Sequence, residues 1–308
     1  MSEFTYGKSL LKIFSNKSMK IFNKAAEQAY RDLSNNNNLN HGIIYDDYDY
    51  DIKLLNKWKK EYPNMLIYTN APRRKTIKMD SKISFGKIMG QSDYTPDTYF
   101  SYSDIPENTS ENAIFYVKTD GGTGAKGVSA YNYCDLSNVN CKNCVIQSDF
   151  KNPDLYDNKR YKLRVHVIIY NKNVYYHKDN RTTISNINYS SQDNNKKEKH
   201  VINQTNNYIL SNTLLNFNEI ENNILKSLSD FKKYYINEIN NIGENEYAIL
   251  GFDYVVNKEK NVKIIEINHR SNYSYPDNIS NITDVICIKD IIKLLVNNNI
   301  CDTNLIKI

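Results

Sequence analysis

Two apolar runs joined by a short polar link constrain this chain more than any other feature: YAILGFDYVV at 247–256, KEKN at 258–261 and VKIIEIN at 262–268. Runs rich in Val, Ile and aromatic residues on either side of such a link read as a buried antiparallel hairpin. With KEKN as the turn, Asn257 falls opposite Val262, Val255 opposite Ile264, and Asp253 opposite Glu266. Side chains alternate along a strand, so Asn268 emerges on the same face as Glu266. Three oxygen-bearing groups converge in a setting made apolar by Leu250, Phe252, Ile264, Ile265 and Ile267. Facing carboxylates repel, and burying them is costly unless something cationic meets them. A hard divalent ion such as Mg²⁺ accepts one or two carboxylates, an amide oxygen and phosphate oxygens. Asp253, Glu266 and Asn268 are therefore candidate metal ligands, for an ion that carries a nucleotide. A sheet with one solvent-facing side bearing ordinary acids is the plainer alternative.

A nucleotide also needs donors for its phosphates, and VKTDGGTGAKGV at 117–128 offers them. Lys118 ends an apolar strand, and Gly121, Gly122, Gly124 and Gly127 let backbone amides approach an anion closely. The Gly-Lys-Ser/Thr ending of a Walker A loop is missing, and the segment leads into a strand rather than the helix of a dinucleotide fingerprint. Alone, such glycines mark only a flexible hairpin.

Elsewhere, apolar spacing predicts one helix over 9–33, a second over 53–61 stopped by Pro63, and a strand at 65–69. Strands follow at 113–119, 126–133 and 144–150, then two more within 160–177 around the turn residues Asn171 to Asn173. After a polar connection over 186–207 comes the longest helix, starting near Asn218, with Ile220, Ile224, Leu225, Leu228, Phe231, Tyr235 and Ile239 as its core stripe. A terminal helix is expected over 284–297. Strand pairs mixed with helices indicate an α+β protein dominated by antiparallel sheet.

No apolar run nears the ~18 residues a membrane span needs, and MSEFTYGKSL lacks a signal peptide's apolar segment. A soluble, cytoplasmic protein without membrane or nucleic-acid partners is expected. Of five cysteines, Cys141 and Cys144 form a lone CKNC with no second pair or nearby His, so all five are read as reduced thiols. The net charge of +5 permits an acidic partner. RRKTIK at 73–78 could form a polyanion patch, although a charge run is more often a solvated face.

Taken in order, Lys118 with its glycine loop, VIQ ending at Gln147, RYKLRVHV, LGFDYVV and KIIEIN resemble ATP-grasp enzymes, and most of all the tubulin tyrosine ligase-like family. The resemblance spans roughly 70–272. RYKLR, from Arg160 to Arg164, stands where the family carries lysine-phenylalanine-aspartate-isoleucine-arginine. HVIN at 200–203 resembles its histidine-leucine-threonine-asparagine, and glutamate-x-asparagine is intact as Glu266 and Asn268. Thr119 replaces a usual proline, Ile202 a usual threonine, and HRSNYSYP a short serine-proline ending, the last two on the acceptor side.

The resemblance implies an ATP-grasp fold in which antiparallel sheets with flanking helices sandwich the nucleotide. Its lobes would fall at 1–80, 81–147 with the glycine loop, and 148–308 with the metal hairpin. It implies that Lys82 and Lys118 touch the phosphates of ATP, together with Gly121, Gly122 and Gly124. Gln147, Ser148, Asp149 and Phe150 would line the adenine hinge, Arg160 and Asn203 would complete the nucleotide site, and Mg²⁺ would sit on Asp253, Glu266 and Asn268. Arg164 and Arg181 would serve catalysis near the γ-phosphate or the acyl substrate. The implied activity of a monomer is ATP-dependent ligation of an amino acid to a carboxylate of an acidic, tubulin-like peptide or protein tail through an acylphosphate. Lys8, Lys12, Lys17, Lys20, Lys24, Arg73 and Arg74 could attract that tail. A kinase acting on a polyhydroxylated anion such as an inositol phosphate, and a nucleotide-binding module without turnover, are the alternatives.

Overall fold

In the computed structural model, which describes residues 2–6, 9–15, 19–33, 39–45, 52–121, 127–189, 207–269 and 278–308, the N-terminal part is built by alternating strands and helices. Strands β1 (Ser2–Tyr6) and β2 (Ser9–Ser15) pair antiparallel. Helix α1 (Met19–Leu33), β3 (Asn40–Tyr45), α2 (Ile52–Glu61) and β4 (Leu66–Asn70) follow, with β2, β3 and β4 parallel. One expectation is corrected here: residues 9–15 are a strand and not part of a 9–33 helix. Leu11 and Ile13 pack with α1 while Leu10 and Phe14 pack with α2. A strand covered on both sides reads as a continuous apolar run, which periodicity cannot tell from a helix.

Helices α3 (Arg73–Asp80) and α4 (Lys82–Met89) come next, neither of them foreseen. The strands β5 (Thr98–Tyr99), β6 (Ile114–Thr119), β7 (Val128–Asn132) and β8 (Cys144–Ser148) then make a separate antiparallel sheet in the order β5-β8-β6-β7. Phe115, Val117, Leu136 and Ile146 fill its own small core.

The rest of the chain completes the large sheet. It contributes β9 (Leu155–Tyr156), β10 (Lys159–Tyr170), β11 (Asn173–His177), β12 (Arg181–Asn188), β13 (Asn207–Leu210), helices α5 (Phe217–Tyr234) and α6 (Ile236–Asn240), β14 (Glu246–Val256), β15 (Val262–Asn268), α7 (Asn278–Asn297) and β16 (Leu305–Lys307). Asn171 and Lys172, at φ 48° and 60°, form the tight turn between β10 and β11, whose left-handed residues match the strand twist. Much of the polar connection over 186–207 lies outside the described residues, and the last helix, with 20 residues against 18 in α5, is the longest among the described residues.

β10 and β14 pair over eight residues and run through the whole sheet. One end of β14 takes β4 in parallel, the other takes β15 antiparallel, and β10 carries β11 and β12 along its length. The result is a curled mixed sheet. Leu163, Val165, Val167 and Ile169 pack with Ile220, Ile224, Leu228 and Phe231 of α5 in one core. On the opposite face Ile168, Tyr170, Tyr247 and Ile249 pack with α1 and α7. That second face continues along β10 as His166, Arg164, Lys162 and Arg160, and there it becomes the candidate site. Among the described residues no helix is long and apolar enough to cross a membrane.

Candidate functional site

The β14–β15 hairpin brings Asp253 opposite Glu266, but by a different register than the spacing predicts. Near the turn Val256 meets Val262, Val255 meets Lys263 and Tyr254 meets Ile264. The connection is a closed loop in which Asn257 Oδ1 accepts from Asn261 N at 2.8 Å and Lys260 sits at φ 61°. A bulge at Ile265 then adds one residue to β15 and restores the expected pairs Asp253 with Glu266 and Gly251 with Asn268. The carbonyl of the bulged Ile265 accepts from Lys118 Nζ at 3.0 Å, so the irregularity joins the hairpin to the small sheet.

Both acids are matched by cations. Asp253, 1% exposed, accepts from Arg164 Nε at 2.5 Å and Lys162 Nζ at 2.9 Å, with Arg164 Nη2 at 3.2 Å. Burial raises its pKa, but the charges and hydrogen bonds of Arg164 and Lys162 outweigh that and hold it well below the carboxylate range. Glu266 faces Lys82 Nζ at 3.3 Å. Asn268 Nδ2 donates to Gly251 O at 3.2 Å, so its amide oxygen is the atom that could ligate a metal. Lys118 is buried, which pushes its pKa down to about 8; the charges of Lys82 and Lys162 lower it as well, against Glu266 and Asp253. Among the described residues no group of three His, Cys, Asp or Glu could hold a metal. The donors fit Mg²⁺ only as a pair of hard carboxylates plus one amide oxygen, with further places left for phosphate.

These groups stand beside one end of a cleft of about 920 Å³, its open mouth included, between the small sheet and the charged half of the large one, and Asp253 and Asn268 are not among the residues that line it. Lys82 of α4, Lys118 of β6, Lys162 of β10 and Glu266 of β15 line that end. Gln147, Ser148, Asp149 and Phe150 line the cleft too, where β8 leaves the small sheet, and Gln147 borders Lys82, Lys118 and Glu266 in an adjoining recess. Gln147 Nε2 donates to Thr98 Oγ1 at 3.2 Å, while its buried Oε1 meets no hydrogen-bond donor among the described residues. Such an acceptor suits the exocyclic amine of a purine. Asp149 is held by Arg160 through two bonds of 2.9 and 2.6 Å, and Tyr116 Oη donates to it at 3.0 Å. Gly121, at φ 80°, opens the glycine loop in a conformation other residues rarely adopt. Gly122, Gly124 and Asn203 lie outside the described residues, as does HVIN.

Arg164 and Arg181 are brought directly opposite each other across β10 and β12. They lie behind the cleft wall and not in it. Arg181 is 2% exposed, with Nη1 3.8 Å from Asp284 and its guanidinium over the Tyr208 ring. His166 Nε2 stands 3.9 Å from the same Asp284. Burial first, and the charges of Arg181, His177 and Arg164 after it, push the His166 pKa well below its ordinary value.

Several site residues escaped the sequence reading. Asp120 accepts from Lys82 N at 2.9 Å and Ser81 Oγ at 3.0 Å, so the start of the glycine loop is tied to the start of α4. Lys162 was readable from the alternation of RYKLRVHV, which puts it on the face of Arg160 and Arg164. His269 N donates to Asp80 Oδ1 at 3.1 Å and its ring meets Thr76 Oγ1, anchoring the end of β15 to α3.

RRKTIK lies in helix α3, where Arg73 pairs with Asp80, Lys75 with Glu246 and Lys78 with Glu238, and the exposed Arg73 and Lys78 fit the plainer reading of a solvated face. Other expectations are corrected. Lys12 is 4% exposed, its Nζ 3.9 Å from the centre of the Tyr62 ring and bonded to that hydroxyl, so it adds nothing to a surface patch. Cys141 and Cys144 are disulfide-bonded, with Cα atoms 5.3 Å apart, instead of reduced. The pair sits in a turn with Asn143 at φ 56°, which allows both sulfurs to meet. No protein-family model matches this chain, and no curated protein matches it in sequence.

Proposed function

We propose that the cleft binds ATP with Mg²⁺, and that the chain is an ATP-dependent carboxylate-amine ligase of the ATP-grasp, tubulin tyrosine ligase-like kind. It would add an amino acid to a carboxylate of an acidic peptide or protein tail. One observation carries this reading: lysines from three separate elements, Lys82, Lys118 and Lys162, line a cleft beside two apposed acids, and the same cleft holds an orphaned acceptor on Gln147. Burying that much like charge is unfavourable unless a polyanion takes it up.

Lys82 and Lys118 hold the oxygens of the transferring phosphoryl group, and Gln147 with the hinge strand orients the purine. Asp253, Glu266 and Asn268 would hold Mg²⁺, which supplies neutralisation of phosphate charge. The substrate carboxylate attacks the γ-phosphorus and expels ADP; the amine then attacks the acyl carbon and expels phosphate. The protein's work is positioning and electrostatics. Arg164 keeps Asp253 ionised, and the Arg164–Arg181 pair stands behind the reacting end.

Incubation of acidic peptides with ATP, Mg²⁺ and an amino-acid mixture, followed by intact mass, tests this reading. A fixed increment equal to one amino acid less water, with ADP and phosphate formed only when carboxylate and amine are both present, is the expected result. An increment of one phosphoryl group on a polyhydroxylated acceptor would replace the ligase with a kinase. Bound nucleotide without product would leave a binding module.

A further inference from the structure

The two acids of the hairpin are capped in the same way. Lys82 Nζ lies 3.3 Å from Glu266, and Lys162 Nζ lies 2.9 Å from Asp253 Oδ2. Both lysines line the cleft, and both come from elements other than the hairpin. The two oxygens of Asp253 differ in their hold. Oδ1 accepts from Arg164 Nε at 2.5 Å, whereas Oδ2 has Lys162 at 2.9 Å and Arg164 Nη2 only at 3.2 Å. With Lys162 on it, Oδ2 cannot also take a divalent ion, because it already meets Lys162 Nζ and Arg164 Nη2 and a third cation there would be repelled.

We propose that Lys162 is a phosphate-binding residue that exchanges with the metal: in the empty cleft it caps Asp253, and when a nucleoside triphosphate enters it moves onto the phosphates and leaves Oδ2 to the divalent ion. The exchange keeps charges paired throughout. A lysine–carboxylate pair becomes a lysine–phosphate pair and a metal–carboxylate pair, and no bond is made or broken. Lys162 has the reach, since it lines the same end of the cleft as Lys82 and Lys118, and its side chain is 18% exposed. Arg164 does not share this role, because it is held behind the wall and stays on Oδ1. The consequence is ordered binding: the protein takes metal poorly without nucleotide and well with it, and reciprocity makes nucleotide bind better with metal. This inference rests on the nucleotide reading of the cleft.

Mn²⁺ binding followed by electron paramagnetic resonance, and ATP binding with and without metal followed by calorimetry, test it on the full chain. Wild type is expected to bind Mn²⁺ at least tenfold more weakly without ATP than with it. Lys162→Met should bind Mn²⁺ alone at least tenfold tighter than wild type, and metal-free ATP at least tenfold more weakly. Lys162→Arg keeps the charge, and with it the fold should Lys162→Met not fold; it should retain metal-free ATP binding and the poor affinity for Mn²⁺ alone. Unchanged Mn²⁺ affinity in Lys162→Met, or Lys162→Arg taking Mn²⁺ tightly without ATP, overturns the exchange while the nucleotide cleft stands. A wild type that binds no ATP with Mg²⁺ overturns both.

Discussion

One face of strand β10 has two ends of opposite character. At one end Ile168 and Tyr170, with Ile249 and Tyr247 of β14 beside them, pack beneath α1 and α7. At the other, Arg160, Lys162, Arg164 and His166 lie along the same face, and Asp253 of β14 answers them. The first end stabilises by removing apolar area from water, at roughly 25 cal/mol per Å². The second gains little net stability, because desolvating buried ions offsets most of their attraction. A strand face that could be apolar throughout carries charges along half its length, and that half is the one we propose as functional.

The largest expected effect comes from moving charge into the apolar end. Ile168→Asp buries an unpaired carboxylate among Ile249, Tyr170 and α7, which costs on the order of 5 kcal/mol or more; loss of the cooperative melt checks it. At the charged end, Asp253→Leu strands Arg164 and Lys162 and should cost about 3–5 kcal/mol. Adding Lys162→Met to Asp253→Leu should recover a large part of that in a denaturant titration, because fewer cations are left unpaired. If the double variant is no more stable than Asp253→Leu, the charged end is structural and the contrast between the ends fails.

Glu266→Gln should lower turnover by about 100-fold or more with a melting temperature near that of wild type, since a part-exposed acid facing a lysine contributes little to the fold. Steady-state rates and a thermal melt separate the two effects. The smallest effect is a matter of pH. Lys118 must be a cation to hold phosphate, and its pKa is pushed down to about 8 in the folded protein from an ordinary 10.5. Nucleotide affinity should therefore fall by up to tenfold per pH unit above about 8, and Lys118→Met should remove that slope. Stability runs the other way: between about 8 and 10.5 the unfolded chain binds the extra proton, so this group's unfavourable contribution fades as pH rises.

How much of this was legible varies with the kind of signal. The facing of Asp253 and Glu266 followed from apolar alternation, yet the path to it did not: the turn shifts the first pairs by one residue and the bulge at Ile265 shifts them back. A bulge leaves no mark in hydrophobic pattern, because Ile264 and Ile265 are both apolar. The stripe of α5 was legible because Ile220, Ile224, Leu228 and Phe231 repeat at helical spacing and all face one core. Strand β2 was not, because covering both its faces erases the alternation. Asp120 and Asp80 escaped notice because each acts by holding a partner distant in sequence, Lys82 and His269 respectively.

By itself the sequence determined which segments pair locally and which residue types lie on one face of each, since alternation and turn chemistry are properties of neighbours along the chain. It could place two acids and an amide on one surface of a hairpin. Only the tertiary structure decided that Lys82 caps one acid, that Lys162 and Arg164 hold the other, and that Lys118 reaches the bulged carbonyl. The physical reason is that those bonds join β14 and β15 to α4, β6 and β10, up to 184 positions away in the chain for Lys82 and Glu266. Packing of separate elements, and no local preference, sets which charges end up within a few ångströms of one another.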